Sequence, residues 1–394
     1  MGMVKRVKIL TLVHVLAATW QQIILAEFVD MDALWTDIKA TIWSEKFWFP
    51  KNLSWESLEN KDDGIYHPQL GDLSLALPMA LFLSIFRICL ERYLFSPIGR
   101  TLGLKEEKHI RIIHHEALEK AFRLHKTPCN GLVQGLAKQT DLSIRQVERW
   151  FRGRRKLEKP SVLKKFVESG WRCTFYSAIF VYGMVMLLDK VWLWKPVNCW
   201  IGYPHHHVSN DIFWFYIIEI GYYISSLVLH FTDVRRKDFW ELFIHHIITL
   251  LLLTFSWIQN MIRVGTLVLV IHDTVDPLVE SAKMAKYCGK LVMCDVLFVV
   301  FASTWFITRL VIFPWRIVYS TLFLAHPIVG FCPGWYIYNG LLLTLQFLHI
   351  KWFLIICRVA VYAIRTGKTE DLRSETEENV SDDDNHVPVT QKSG

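Results

Sequence analysis

Seven stretches of this chain are apolar for close to the length a helix needs to cross a membrane, and nothing else in the sequence restricts the fold as strongly. About 20 mostly apolar residues span the hydrocarbon layer. Runs of that order fall near residues 73–93, 174–194, 211–231, 242–258, 262–281, 291–313 and 336–362; the fourth is short and the fifth carries acids. One such run can be a buried helix of a soluble protein, but seven in one chain argue against that. With 17 Trp and 25 Phe among 394 residues, the chain reads as an all-α, polytopic membrane protein of about seven transmembrane helices.

Lysine and arginine set the orientation. Segment 100–170 carries 17 Lys/Arg against 8 Asp/Glu, and the connector 232–238 contains Arg235, Arg236 and Lys237. With seven spans, both fall on one side together with the C-terminus, and that side is expected to be the cytosol. The opposite, lumenal side receives 42–72, 195–210 and 314–335. It includes Asn52-Leu53-Ser54, a glycosylation sequon usable only in a secretory lumen.

Residues 1–41 form an N-terminal extension. Its basic start (Lys5, Arg6, Lys8) and modest apolar stretch resemble a signal peptide; it is expected to be cleaved, to lie at the interface, or to be absent if Met31 is the start. The eight cysteines are scattered without a CxxC pair, which disfavours a zinc site. Cys199 and Cys332 both fall in lumenal segments, where either a disulfide or two separate thiols is permitted.

Between the first two spans, Leu118, Phe122, Leu132, Leu136, Leu142, Val147, Trp150 and Phe151 recur at the spacing of three short helices packed together. Asp141 or Ser143 is positioned to cap the last, with Gln146 completing a capping box from Ser143. The stretch resembles a homeodomain, truncated here to a module at 100–165. Where that family carries its adenine-reading asparagine stands Gly153, in "WFRGRR". Glycine cannot make a bidentate base contact, and the basic minor-groove arm is missing. No sequence-specific DNA binding is expected; the basic residues suit anionic lipid headgroups or bracing of the membrane domain.

The costliest residues lie in "KDFWELFIHHIITLLLLTF" and in the following "VIHDTVDPLVESAK". His245 lies 12 residues before Trp257, and Asp273 lies 11 after Ile262. At about 1.5 Å per residue, antiparallel neighbours would hold them at similar depth. Asp273 and Asp276 share a helical face, as do Asp276 and Glu280. His245, His246, Asp273 and Asp276 can therefore converge in the cytosolic half of the membrane, where ionisable groups are expensive and functional. A carboxylate that orients an imidazole suits general-base or nucleophilic catalysis. Two other readings compete, a buried polar network joining two helices and a metal centre. The second lacks the several histidine-rich boxes such membrane enzymes need, because His205, His206 and His207 fall on the lumenal side, as a solvated loop or a minor interfacial feature.

The segment Asp233–Met284 resembles the ceramide synthases, the longevity-assurance family, within their TLC membrane domain. The resemblance is carried by Lys237-Asp238-Phe239, His245-His246, Arg263 with Gly265-Thr266-Leu267, His272-Asp273, Asp276, and Glu280 with Lys283. It extends from about Ile42 to the tail and departs at Gly153, at Pro277 and in the N-terminal extension. It implies an enzyme that moves a fatty acyl group from acyl-CoA to the amine of sphinganine or sphingosine. His245, His246, Asp273 and Asp276 would be catalytic, through an acyl-imidazole on His245 or by direct attack with a histidine as base. Arg235, Arg236, Lys237, His272 and Glu280 would bind substrate, and Arg263 would serve packing near the lumen. No metal or bound organic cofactor is implied.

It further implies a catalytic TLC domain at 166–365, following the lumenal segment 42–72 and first span 73–93. Implied too are residence in the endoplasmic reticulum membrane, dimers with itself or other ceramide synthases, and an acyl-length preference governed near Thr321–Trp335. The acidic tail 366–394 is expected to be disordered and cytosolic, with Ser374 and Ser381 ahead of acids as an acidophilic kinase requires. The alternative function is a non-enzymatic TLC-domain lipid sensor or translocon-associated protein.

Overall fold

The computed structural model describes residues 43–51, 53–61, 64–105, 114–158, 160–234 and 237–366, with Thr36 and Ala40. Asn52, Arg235, Arg236, Ser374, Ser381 and residues 1–35 lie outside them. No strand occurs among the described residues.

Helix α1 (Leu70–Thr101) is 32 residues long and carries the first apolar run. Gln69 and Asp72 close a reciprocal box at its start, the Gln69 amide donating to Asp72 Oδ2 at 2.6 Å. The module follows as α2 (Glu116–Leu124), α3 (Asn130–Thr140) and α4 (Ile144–Glu158). Ser143 caps α4: its amide donates to Gln146 Oε1 at 2.8 Å and its hydroxyl accepts from the Gln146 amide at 3.3 Å. Asp141 instead closes α3 in a left-handed conformation, φ 52°. Leu118, Phe122, Leu136, Val147, Trp150 and Phe151 form the module's own buried core. Arg154 is spent internally, bonded to Glu119 at 2.9 Å and lying over the Phe122 ring.

Helix α5 (Val162–Leu187) starts at Ser161, whose hydroxyl accepts from the Lys164 amide. Its first half carries Lys164, Lys165, Glu168 and Arg172, so the second apolar run is only its later part. At the membrane edge α1 and α5 almost touch. A Cβ added to Gly99 would stand 2.4 Å from Leu163 Cδ1, so only glycine lets the two helices approach there.

Helix α6 (Asn210–Leu229) packs along α1, and α7 (Phe239–Ile258) packs beside α6. The fifth run is broken. Helix α8 (Ile262–Asp273) stops at mid-depth and α9 (Asp276–Tyr287) resumes after Thr274 and Val275. Pro277 sits in the first turn of α9, where its missing N–H costs nothing. Neither half reaches spanning length alone, and α5 is apolar only over its later part. Five described helices are therefore long and apolar enough to cross a membrane: α1, α6, α7, α10 (Leu291–Val329) and α11 (Gly334–Thr366).

Helix α10 runs 39 residues, far more than about 30 Å of hydrocarbon requires. The expected lumenal loop at 314–335 is consequently helical through Val329 and turns only over 330–333. Wide π-type turns over Phe306–Val318 accommodate Pro314, which has no amide to donate.

A packed cap closes one end of the bundle. Trp48 stacks near Phe255, with ring centroids 5.1 Å apart. Asn260 donates to the carbonyls of Pro204 and His206 at 2.7 and 2.8 Å. Arg263 donates to Asn198 O at 2.8 Å and lies over Trp192, a packing role. The triple histidine divides: His205 and His207 are exposed, the His207 ring accepting from the Tyr66 amide at 3.0 Å, whereas His206 points inward and is buried. Burial pushes the His206 imidazole down to about 4. Cys199 and Cys332 are both buried free thiols in this cap.

Candidate active site

Helix α7 turns His245 and His246 inward, both buried, with the Nδ1 atoms meeting no partner among the described residues. His245 faces His272 of α8 with ring centroids 6.1 Å apart and planes 25° from parallel. His272 in turn meets His349 of α11, Nε2 to Nε2 at 2.9 Å. The Val268 carbonyl lies 2.6 Å from His272 Nδ1. A carbonyl only accepts, so Nδ1 carries the proton; in the neutral ring Nε2 must then accept from His349. On the other side His246 lies 5.7 Å from the rings of His230 and Tyr223. A string of imidazoles thus crosses the bundle from α6 to α11.

The acids divide into two settings. Asp276 lines a cavity of about 140 Å³ with His245, His246 and His272, together with Glu280 and Lys283. Arg309 of α10 lies 3.4 Å from Asp276 Oδ2, donates to the orphan carbonyl of His272 at 2.5 Å and stacks over Trp305. Glu280 pairs with Lys283 at 2.6 Å. Asp273 does not line the cavity. It turns behind the histidines against Glu219 of α6, and both carboxyls are fully buried. The depth count placed His245 opposite Asp273; one residue of helix rotation puts His272 there instead.

The outer rim of the cavity is charged, with cations and acids paired. Asp233 clasps Arg87 of α1 and Arg172 of α5, each at 2.6 Å, and all three line the cavity. Burial alone would raise the Asp233 carboxyl, but Arg172 and Arg87 hold it below the usual carboxylate range. Lys237 lies just beyond, at the start of α7.

A second cavity, about 60 Å³, continues toward the cap among mostly apolar side chains. His272 and Tyr223 border both spaces. Trp200, Thr321, Trp335 and Tyr338 are among its lining.

Sequence reasoning missed Glu219, Tyr223, His230, Arg309 and His349. Glu219, Arg309 and His349 each carried a usable signal, a lone ionisable residue inside an apolar run.

Residues 165–358 match the family model of the TLC domain, and 113–160 match that of the homeodomain. Human ceramide synthase 5 is 40% identical over 87% of this chain and 88% of its own length. Human ceramide synthase 3 is 40% identical over 87% and 89%, and ceramide synthase hyl-1 of Caenorhabditis elegans 32% identical over 85% and 83%. This chain belongs to the ceramide synthase family. Membership at this coverage makes it a multi-pass membrane acyltransferase and removes the motive for the lipid-sensor reading. A charged rim opens onto buried histidines, with an apolar space beyond.

Proposed function

We propose that this ceramide synthase transfers a fatty acyl group from acyl-CoA to the amine of sphinganine or sphingosine, in the endoplasmic reticulum membrane with its C-terminus in the cytosol. One observation carries the reading. The histidines stand where a cavity with a charged rim meets an apolar one, so a thioester carbonyl can reach them while CoA stays outside and the acyl chain lies in hydrocarbon. Arg87, Arg172 and Lys237 at the mouth, with Arg235 and Arg236 beside them in sequence, suit the CoA phosphates.

His245 attacks the thioester carbonyl, the C–S bond breaks, and the proton displaced from the ring system neutralises the thiolate. His246 orients the acceptor amine, which attacks the acyl-imidazole to form the C–N bond and regenerate His245. Water must be kept away for the intermediate to persist, and a membrane-embedded site provides that. Asp276 offsets positive charge on the imidazoles, and Arg309 fixes Asp276. The segment around Thr321–Trp335, bordering the apolar cavity, sets the acyl length accepted.

The test is an assay of the purified chain with sphinganine and a panel of acyl-CoAs, with intact mass measured after acyl-CoA alone. A mass gain of one acyl group, absent in His245→Ala and discharged by sphinganine, is expected. Turnover without any adduct would replace the covalent step by direct attack, and no N-acyl product from any donor would overturn the function.

A further inference from the structure

Behind the histidines lies a pair of acids that the reaction described so far does not use. Glu219 of α6 and Asp273 of α8 are 0% and 1% exposed. Their carboxyls are in hydrogen-bond contact with each other. All four oxygens are buried, and none meets a conventional donor among the described residues. Two carboxylates cannot bond to one another without a proton between them. The pair therefore holds at least one.

Its surroundings leave room for a change of charge. Tyr216 and Tyr223 of α6, Asp276 of α9 and Arg309 of α10 are the groups in electrostatic reach. Tyr176 and Arg172 of α5, and His245 and His246 of α7, stand across the cavity. Arg309 is already matched to Asp276. Tyr223 borders the cavity and lies within electrostatic reach of both carboxyls.

Proton balance gives the pair a task, given the acyl-transfer reading above. The acceptor amine arrives as an ammonium with three protons. The amide nitrogen keeps one and the leaving thiolate takes one, so one is left over each turnover.

We propose that Glu219 and Asp273 form a proton-sharing carboxyl pair that takes up this surplus proton through Tyr223 and later releases it to water at the cavity mouth. The singly protonated pair carries one negative charge; accepting the proton makes it neutral and breaks no backbone contact. Glu219 is then a positioning residue, acting through Asp273.

The experiment uses the full chain in lipid nanodiscs, with sphinganine as acceptor. Glu219→Gln keeps the hydrogen bond but fixes its side chain as neutral. Its kcat at neutral pH is expected to fall at least tenfold, with the loss shrinking as pH rises and more amine arrives neutral. KM for acyl-CoA should be unchanged, and Glu219→Asp should restore much of the wild-type pH profile. A Gln variant with the wild-type profile, or a loss equal at every pH in a folded variant, would overturn the proposal. Should Glu219→Gln not fold, difference infrared spectra of the wild-type chain decide. Adding sphinganine to the acyl-CoA-treated enzyme should bring up a protonated-carboxyl stretch, and its absence during turnover refutes the pair. Failure of the wild type to make any N-acyl product would instead remove the acyl-transfer reading itself.

Discussion

At the scale of single residues, the site is an imidazole string whose members differ in their partners. His272 is held by Val268 and His349 on both ring nitrogens, so it is poorly placed to attack anything. His245 and His246 have a free Nδ1 and border the cavity. Replacing either by Ala should therefore cut N-acylation by roughly 100-fold or more, the scale of losing a nucleophile or general base. His349→Gln, which can still donate to His272, should cost far less. Steady-state assays on the three variants, normalised to folded protein, check this ranking; equal losses would make the whole string structural.

Among helices, the decisive features are close approaches and breaks. Tyr216 of α6 reaches across α8 to bond Ser256 Oγ at 2.9 Å, and a Cβ on Gly265 would stand 1.7 Å from that hydroxyl. Gly265→Ala should thus cost about 1–3 kcal/mol by overpacking, read as a lower unfolding midpoint in detergent. Gly265→Ala combined with Tyr216→Phe, which removes the clashing oxygen, should recover part of it. The module makes its own prediction. With Gly153 in the recognition position and Arg154 tied to Glu119, any DNA affinity should be electrostatic and collapse with added salt. A footprint on a defined sequence at physiological salt would contradict this.

The apolar runs and the HH and HD spacings were legible because membrane length and helical period are strong, local signals. Three things were not. The break before Pro277 was not legible as two separate helices, because Thr274 and Val275 carry no strong stop signal. The helical reach of 314–329 was hidden by Pro314, which π-type turns absorb. The pairing of Glu219 with Asp273 needs the rotation of α6 against α8, and no spacing within one segment encodes that.

For the molecule as a whole, the cap over the end of the bundle carries a pH-sensitive group, His206. His206 is held neutral down to about 4 in the folded cap, against an ordinary 6.5. Below 6.5 the unfolded chain gains a proton that the folded one refuses, so stability drains away as pH falls from about 6.5 to about 4. Unfolding midpoints measured across that range should drop, and His206→Gln should flatten the drop.

The near-touch of Gly99 and Leu163 has a topological meaning. The chain leaves the membrane bundle and re-enters it at almost the same point, so the helical module between them is a parenthesis. Its core shares no member with the clusters that hold the bundle. Closing a short linker across that gap carries little entropic cost, since loop closure grows only with the logarithm of length. Excising 106–159 and bridging the ends with a few Gly and Ser residues should leave a bundle that inserts and elutes as a monodisperse species. Aggregation of that deletion, with the intact chain well behaved, would show the parenthesis to be a clause the bundle cannot be read without.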